Sequence, residues 1–227
     1  MMEKISAIVL AAGKGTRMKS DTPKQFIEVN GRPLIAYSLE AFEKSDVDEI
    51  ILVTGQNEIE LCSRIIKKFK ISRCLRIVAG GAVRALSVYN GIKAASGDHV
   101  LIHDGARPLV SQRLIADTIE AVKKYRAAVP VVPVKDTIRQ VSPDGTLMDA
   151  LDRSTLFAMQ TPQAFACADI MKAYEKLTEE KYDLSHITDD VMVMEQGLGI
   201  HAHPVRGEEE NRKITTPEDL EWLKTRL

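Results

Sequence analysis

Short runs of branched apolar residues alternate along the chain with longer segments whose apolar side chains recur at every third or fourth position. The first run, Ile5 to Leu10, is too short for a helix and ends at small residues and glycines, which predicts a strand leaving into a loop. FIEV and the Asn30-Gly31 turn then predict a brief extended excursion, and Pro33 suits the first turn of a helix reaching Glu43. A strand follows over 49–54, then a helix over 57–69 that places Leu61, Ile65 and Phe69 on one buried face. A strand over 75–79 ends in Gly80-Gly81, a helix covers 83–95, and HVLIHD forms a strand over 99–104. Such alternation with short connections predicts right-handed βαβ units and an α/β class fold, with a mostly parallel sheet covered by helices on both faces. Ligands of these sheets bind outside the carboxyl ends of the strands, where the opening loop, Gly80-Gly81 and Asp104 all fall.

The pattern continues with a helix over 111–125 and a strand over 127–134, whose prolines place it near an edge or make it irregular. It breaks between Lys135 and Gln160. There TIRQV and TLMDAL read as two extended segments around the turn Ser142-Pro143-Asp144-Gly145, with too few apolar residues for a core of their own. Residues 135–160 are therefore expected to project as an arm from a single domain spanning 1–227. The apolar positions of the arm need a partner surface, which predicts a homodimer. Helices return over 167–178 and 188–196, the second opened by Thr188-Asp189-Asp190, and a strand IHAHPV follows. Thr216 as N-cap, Pro217 and the acidic pair Glu218-Asp219 open a last helix.

Charge and composition narrow the class of function. With 31 basic and 32 acidic residues the net charge is −1, so no basic excess points to nucleic acid or a membrane surface as partner. The three cysteines, Cys62, Cys74 and Cys167, have neither C-x-x-C spacing nor an even count, which predicts idle thiols in a reducing compartment rather than a disulfide framework or a zinc site. The apolar run at the N-terminus is too short to span a bilayer, so a cytoplasmic location is expected.

The candidate chemistry is concentrated in residues 7–26, AIVLAAGKGTRMKSDTPKQF. Small residues let the backbone approach a ligand, glycines adopt the conformations of a tight loop, and successive N–H groups make a nest for phosphate oxygens. Arg17 and Lys24 add positive charge. A Walker loop is excluded because position 8 is Ile and no Gly-Lys-Ser/Thr follows at the right offset. A dinucleotide fingerprint is disfavoured because position 18 is Met and the next strand ends in Thr54 and Gly55 rather than an acidic residue. Gly80-Gly81 with Arg84 and Ser87 makes a second loop at a helix start, where N–H groups and a hydroxyl can bind a base edge or phosphate. Asp104, closing a buried strand, is a candidate magnesium ligand beside phosphates. His103 has no serine or cysteine nucleophile to serve and reads as a buried, hydrogen-bonded histidine. Arg107 reads either as an anion holder or as part of a solvated face. Lys213 is a lone lysine that would become a second cation if the fold brought it to the cradle.

The opening motif resembles the signature loop of nucleotidyltransferases. More specifically, SAIVLAAGKGTRM, TPKQF, GG-x-x-R-x-x-SV, HDGARP, VKDTIR, LDRSTLFAMQTPQAF, ITDD and NRKITTPEDL occur in that order over nearly the whole chain, which is similar to the 2-C-methyl-D-erythritol 4-phosphate cytidylyltransferase family of the non-mevalonate isoprenoid pathway. The resemblance implies a Rossmann-like nucleotidyltransferase fold, CTP as substrate, and Mg²⁺ or another divalent cation beside Asp104. It implies that Arg17 and Lys24 stabilise the transition state, with Arg153 and Lys213 also catalytic. Ala11, Ala12, Gly13, Gly15, Gly80, Arg84 and Ser87 would hold CTP. Asp104, Arg107, Thr137, Arg153, Thr161, Thr188, Asp189 and Lys213 would surround the acceptor, with Thr137 and Arg153 supplied by the arm to the neighbouring subunit. Leu10, Val83, Ala85, Leu86 and Arg212 depart from the family pattern, and none of these changes removes a charge that the chemistry needs. Two other readings share the loops: a ribitol-5-phosphate cytidylyltransferase, and a catalytically silent nucleotide-binding regulator.

Overall fold

Residues 3–13 and 23–227 are described by the structure, a computed structural model; Gly15 and Arg17 of the opening loop lie outside them. The first strand, β1 (Ile5–Ala11), is buried at every position but Leu10, as expected of an unbroken apolar run between two layers of helices. In chain order there follow the two-residue strands β2 (Glu28–Val29) and β3 (Arg32–Pro33), then α1 (Leu34–Glu43), β4 (Glu49–Thr54), α2 (Ile59–Lys68), β5 (Cys74–Ala79), α3 (Arg84–Ala94), β6 (His99–Asp104) and α4 (Gln112–Tyr125). The second half contains β7 (Ala127–Pro133), β8 (Arg139–Val141), β9 (Leu147–Ala150), β10 (Phe157–Met159), β11 (Gln163–Ala166), α5 (Cys167–Glu179), α6 (Asp190–Leu198), β12 (His203–Arg206) and α7 (Pro217–Lys224).

The expected α/β architecture is present. The main sheet runs β10-β7-β11-β6-β1-β4-β5, with β12 also paired to β7. Strands β5, β4, β1 and β6 are parallel, so their carboxyl ends lie along one rim. Alternate residues of each strand face opposite layers. Ala7 and Val9 meet Ile35, Leu39 and Phe42 of α1, Cys62 and Ile65 of α2, and Leu114 and Ile115 of α4. Ile8, Ile51 and Val53 meet Ala85, Val88 and Ile92 of α3 together with residues of α5 and α6. A small third cluster of Val29, Leu34, Ile214 and Leu223 seats α7 against the β2–β3 corner. That last contact brings the segment before α7 within reach of Lys24.

Two strands were not foreseen. β11 inserts between β6 and β7 and is antiparallel to both, and β10 pairs with β7 further along. QAFA is only four residues long and carries no usable period, so its strand character comes from two neighbours offering hydrogen bonds. Residues 157–159, inside the segment read as an arm, thus belong to the main sheet. Strand β7 stands one place in from the edge because β12 covers its other side. The remaining break segment carries β8 and β9 as a separate two-stranded sheet, with Val141 60%, Leu147 65% and Met148 48% exposed. Among the described residues, no helix is long and apolar enough to cross a membrane.

Candidate active site

The rim formed by the ends of β1, β5 and β6 opens into a cavity of about 690 Å³. Ala11, Ala12 and Gly13 leave β1 into it, Gly81 to Arg84 and Ser87 border it from the start of α3, and Asp104 closes it from β6. Lys24 and Lys213 also line it. The two loops touch at Gly80, where an added Cβ would stand 2.6 Å from the Ala12 Cβ and 2.8 Å from Ser87 Oγ, so a side chain there would force them apart. The Ser87 hydroxyl folds the second loop by accepting from Gly81 N–H at 3.0 Å and lying 3.2 Å from the Val83 carbonyl. Gln25, buried at 4% exposure, donates its side-chain amide to the Ala11 carbonyl and so ties the returning chain to the end of β1. Lys24 Nζ donates to the Ile214 carbonyl at 3.2 Å, joining that chain to the segment that carries Lys213.

Charge in the cavity is ordered around Asp104. Its Oδ2 accepts from Lys213 Nζ at 2.7 Å, and its Oδ1 lies 3.5 Å from Nε and Nη2 of Arg84. Arg84 is held from behind by Asp190 through a two-pronged pair at 3.1 and 2.8 Å. Burial by itself would raise the Asp104 carboxyl, but Arg84 and Lys213 outweigh it and hold the group well below the usual carboxylate range. Burial likewise works against the charge on Arg84, and Asp190 and Asp104 together raise its guanidinium above the ordinary arginine value.

The main chain at Asp104 is fixed by His103 and Thr161. The buried His103 ring is pushed down to about 4 by desolvation, so it is neutral near pH 7. The Arg107 carbonyl, 3.1 Å from Nε2, can only accept, which places the ring proton on Nε2 and leaves Nδ1 an acceptor. The Thr161 hydroxyl at 3.0 Å must then donate to Nδ1, and its oxygen accepts from Asp104 N–H at 3.1 Å. The proton of Thr161 is thereby committed within the protein. Beside it, Arg107 donates to the carbonyls of Asn211 at 2.7 Å and Met159 at 3.4 Å, and Asn211 donates to the Thr161 carbonyl at 2.8 Å. These bonds lock the Lys213 segment to the start of the β10–β11 connection.

The predicted site residues therefore separate into groups. Ala11, Ala12, Gly13, Lys24, Arg84, Ser87, Asp104 and Lys213 share one cavity, with Gly80 supporting the loop beneath it. Arg107 lines an adjoining hollow of about 440 Å³ together with Gln160, Arg212 and Lys213. Thr161 reaches the site through Asp104 N–H. Thr188 and Asp189 stand at the start of α6, where Asp189 caps the helix by accepting from Met192 N–H at 3.0 Å. Thr137 and Arg153 are exposed in the segments flanking β8 and β9, and Arg153 donates to the Lys135 carbonyl at 2.6 Å. Gln25, Asp190 and Asn211 were not foreseen in these positions. Each carries an ordinary local reading, as a turn, helix-start or loop polar residue, and only the fold brings it to the site.

Among the described residues no group of three or more His, Cys, Asp or Glu side chains could enclose a metal ion. Asp104 is the one carboxylate among the described residues lining the cavity. That donor set fits magnesium arriving with a triphosphate, since this ion takes one or two carboxylates and completes its shell with phosphate oxygens and water.

Comparisons with known proteins place the chain by sequence and by fold. The model of the 2-C-methyl-D-erythritol 4-phosphate cytidylyltransferase family matches residues 5–225. The chain is 43% identical over 221 residues to the enzyme of that name from Lachnoclostridium phytofermentans, covering 96% of this chain and 94% of the relative. It is 44% identical over 224 residues to the one from Clostridium acetobutylicum, covering 97% and 96%. Among solved structures, the 4-diphosphocytidyl-2C-methyl-D-erythritol synthase of Anaerococcus prevotii superimposes with a TM-score of 0.86 at 32% identity, covering 99% of this chain and 98% of that one. The 2-C-methyl-D-erythritol 4-phosphate cytidylyltransferase of Thermus thermophilus does so with a TM-score of 0.79 at 31% identity, with coverage of 99% and 98%. Matched over nearly its whole length in sequence and in fold, the chain belongs to the 2-C-methyl-D-erythritol 4-phosphate cytidylyltransferase family.

Proposed function

We infer that this chain transfers the cytidylyl group of CTP to 2-C-methyl-D-erythritol 4-phosphate, giving 4-diphosphocytidyl-2-C-methyl-D-erythritol and pyrophosphate in isoprenoid precursor biosynthesis. The observation that carries the reading is the cavity at the strand ends, in which Arg84 and Lys213 face Asp104 and Lys24 lines the wall, in a chain that matches this family from residue 5 to 225. An oxygen of the acceptor phosphate attacks the α-phosphorus of CTP, and the bond from that phosphorus to the bridging oxygen of the β-phosphate breaks. The acceptor phosphomonoester, with a second pKa of about 6, is already largely dianionic near neutral pH, so no general base is needed. What remains is to bring two anions together and to disperse charge as pyrophosphate departs, a task for positioning and fixed positive charge.

The assignments follow from that demand. The loops at Ala11–Gly13 and at Gly80 to Ser87 receive CTP, and Gly15 is assigned to the same ligand by its place in the family motif. Lys24 and Arg17 neutralise the triphosphate. Lys213, fixed by Asp104, directs the acceptor phosphate, with Arg107, Thr188 and Asp189 toward the acceptor side. Thr161 acts there through the backbone of Asp104, since its proton is taken by His103. A divalent cation, held by Asp104 and the triphosphate, would add charge stabilisation at the phosphates. The exposed apolar side chains of the β8–β9 arm support a homodimer in which the arm brings Thr137 and Arg153 to the neighbouring site. The chain is read as a single domain, and the lack of C-x-x-C spacing among its three cysteines supports a reducing, cytoplasmic compartment.

The test is pyrophosphate release from CTP and Mg²⁺, with 2-C-methyl-D-erythritol 4-phosphate and D-ribitol 5-phosphate supplied in parallel and UTP and ATP as nucleotide controls. Release with the first acceptor and CTP is the expected result. Release with ribitol phosphate alone would keep the mechanism and overturn the acceptor. Silence with both, from folded protein that still binds CTP, would make the chain a nucleotide-binding regulator.

A further inference from the structure

Asp190 stands in none of the roles assigned above, yet it is the most completely buried acidic side chain near the cavity, with no exposed surface. It opens α6 and directs both carboxylate oxygens at Arg84, Oδ1 toward Nη1 at 3.1 Å and Oδ2 toward Nη2 at 2.8 Å. Two further contacts fix its position. Tyr174 Oη donates to Oδ1 at 3.2 Å, the backbone N–H of Asp190 donates to the Gln163 side chain at 2.9 Å, and Gln163 is itself 1% exposed within β11. Arg84 consequently meets Asp104 only at 3.5 Å, beyond a well-formed charged hydrogen bond, whereas Lys213 holds the other oxygen of Asp104 at 2.7 Å.

The four charges form a line, Asp190 to Arg84 to Asp104 to Lys213, in which both cations compete for one carboxylate. A guanidinium that forks onto a carboxylate makes a stronger and more directional pair than an ammonium does. Released from Asp190, Arg84 could turn its fork onto Asp104. Asp104 would then have less hold on Lys213. We propose that Asp190 is a positioning residue that restrains Arg84 by occupying its guanidinium fork, and so keeps Asp104 available to hold Lys213 at the reacting end of the cavity. The functional consequence rests on the cytidylyltransferase reading, in which Lys213 directs the acceptor phosphate, but the restraint itself is a property of the unliganded protein.

The restraint can be read without catalysis, by limited acetylation with an N-hydroxysuccinimide ester and mass-spectrometric quantification of each lysine. The exposed Lys67 on α2 serves as an internal standard. In Asp190→Asn, which keeps the shape and removes the charge, labelling of Lys213 relative to Lys67 should rise about fivefold, the factor carried by an ion pair worth about 1 kcal/mol. In the double variant Asp190→Asn with Arg84→Met the competitor is gone, and labelling of Lys213 should return to the wild-type level. Unchanged labelling in the single variant, or raised labelling in the double, would overturn the proposal; the second result would mean that Arg84 supports Asp104 rather than competing for it.

Asp190→Asn leaves a buried guanidinium without its partner and could fail to fold. The double variant buries no uncompensated charge, and its labelling then decides alone. Steady-state kinetics give the second readout. The single variant should lose about tenfold in kcat when titrated with the acceptor, while a loss confined to the KM for CTP would place Asp190 on the nucleotide side and refute the role given to it here. Failure of the cytidylyltransferase reading itself would show as absent turnover in the wild type, with the labelling pattern unaffected.

Discussion

Lowering the pH should weaken this fold through His103 in a window set by the ring's own burial. The ring has no exposed surface, and desolvation brings its pKa from the ordinary 6.5 down to about 4, against the opposing influence of the Arg107 carbonyl and Asp104. The unfolded chain takes up a proton below about pH 6.5, whereas the folded ring resists until about pH 4, so protonation favours unfolding across that interval. The stability that depends on a neutral His103 is therefore complete above the window and declines as the pH falls through it, by on the order of 3 kcal/mol in total. Asp104 does not contribute to this decline, because its carboxyl is held below 3.8 and is lost only at lower pH. Urea unfolding, followed at intervals between about pH 7.5 and about pH 4.5, should give a steeper fall for the wild type than for His103→Gln. The variant will be less stable throughout, since it loses the edge contact with Phe42 at 5.1 Å, so the slope and not the offset is diagnostic. Parallel curves for the two proteins would refute the argument. They would mean that the ring accepts a proton in the folded state, and with it that the hydrogen-bond directions drawn through Thr161 to Asp104 are wrong.

Three further outcomes follow from the same geometry. Thr161→Val strands Asp104 N–H and His103 Nδ1 and should cost about 1–3 kcal/mol of stability, while Thr161→Ser retains both bonds and most of that stability; thermal melts that place the two variants together would contradict the relay. Lys24→Ala should lower turnover on the order of a hundredfold, about 3 kcal/mol, with an unchanged circular dichroism spectrum, and near-normal turnover would remove Lys24 from the mechanism. Gly91→Ala places a Cβ 2.5 Å from Ile8 Cγ2 and 3.0 Å from Val53 Cγ2 in a fully buried contact of α3 with the sheet, so unfolding should show a loss of about 1–3 kcal/mol even though alanine is the better helix former. A neutral result would show that α3 can move away from β1.

Several parts of the protein were legible in the chain because the signal is local. The Ile5–Leu10 run, the amphipathic helices and the turns between them specify burial on two faces or on one, and a parallel α/β sheet follows from their order. Gly80-Gly81, Asp104 and the small residues after β1 were placed correctly on one rim because strand direction alone decides which ends meet. The cap at Thr216 was equally readable, since it involves only residues of its own helix start.

What the sequence left open depends on contacts between distant segments. The strand character of QAFA comes from β6 and β7 on either side, and no property of four residues announces it. Lys213 lies 109 positions from Asp104, and nothing near it marks it as more than a lysine before a helix until α7 docks against β2 and β3. The hydrogen bonds of Thr161 depend on folding for the same reason. A threonine hydroxyl can donate or accept, and the burial of His103 and the carbonyl of Arg107 fix the direction of its hydrogen bond. Asp190 was legible only as a helix opener; its pairing with Arg84 spans 106 positions and exists because α6 packs beside α3 over the sheet. Most of the secondary structure and the location of the rim are set by neighbours along the chain, β11 being the exception. Protonation states, hydrogen-bond directions and the partner of each charge are set by desolvation and by groups that only folding brings within reach.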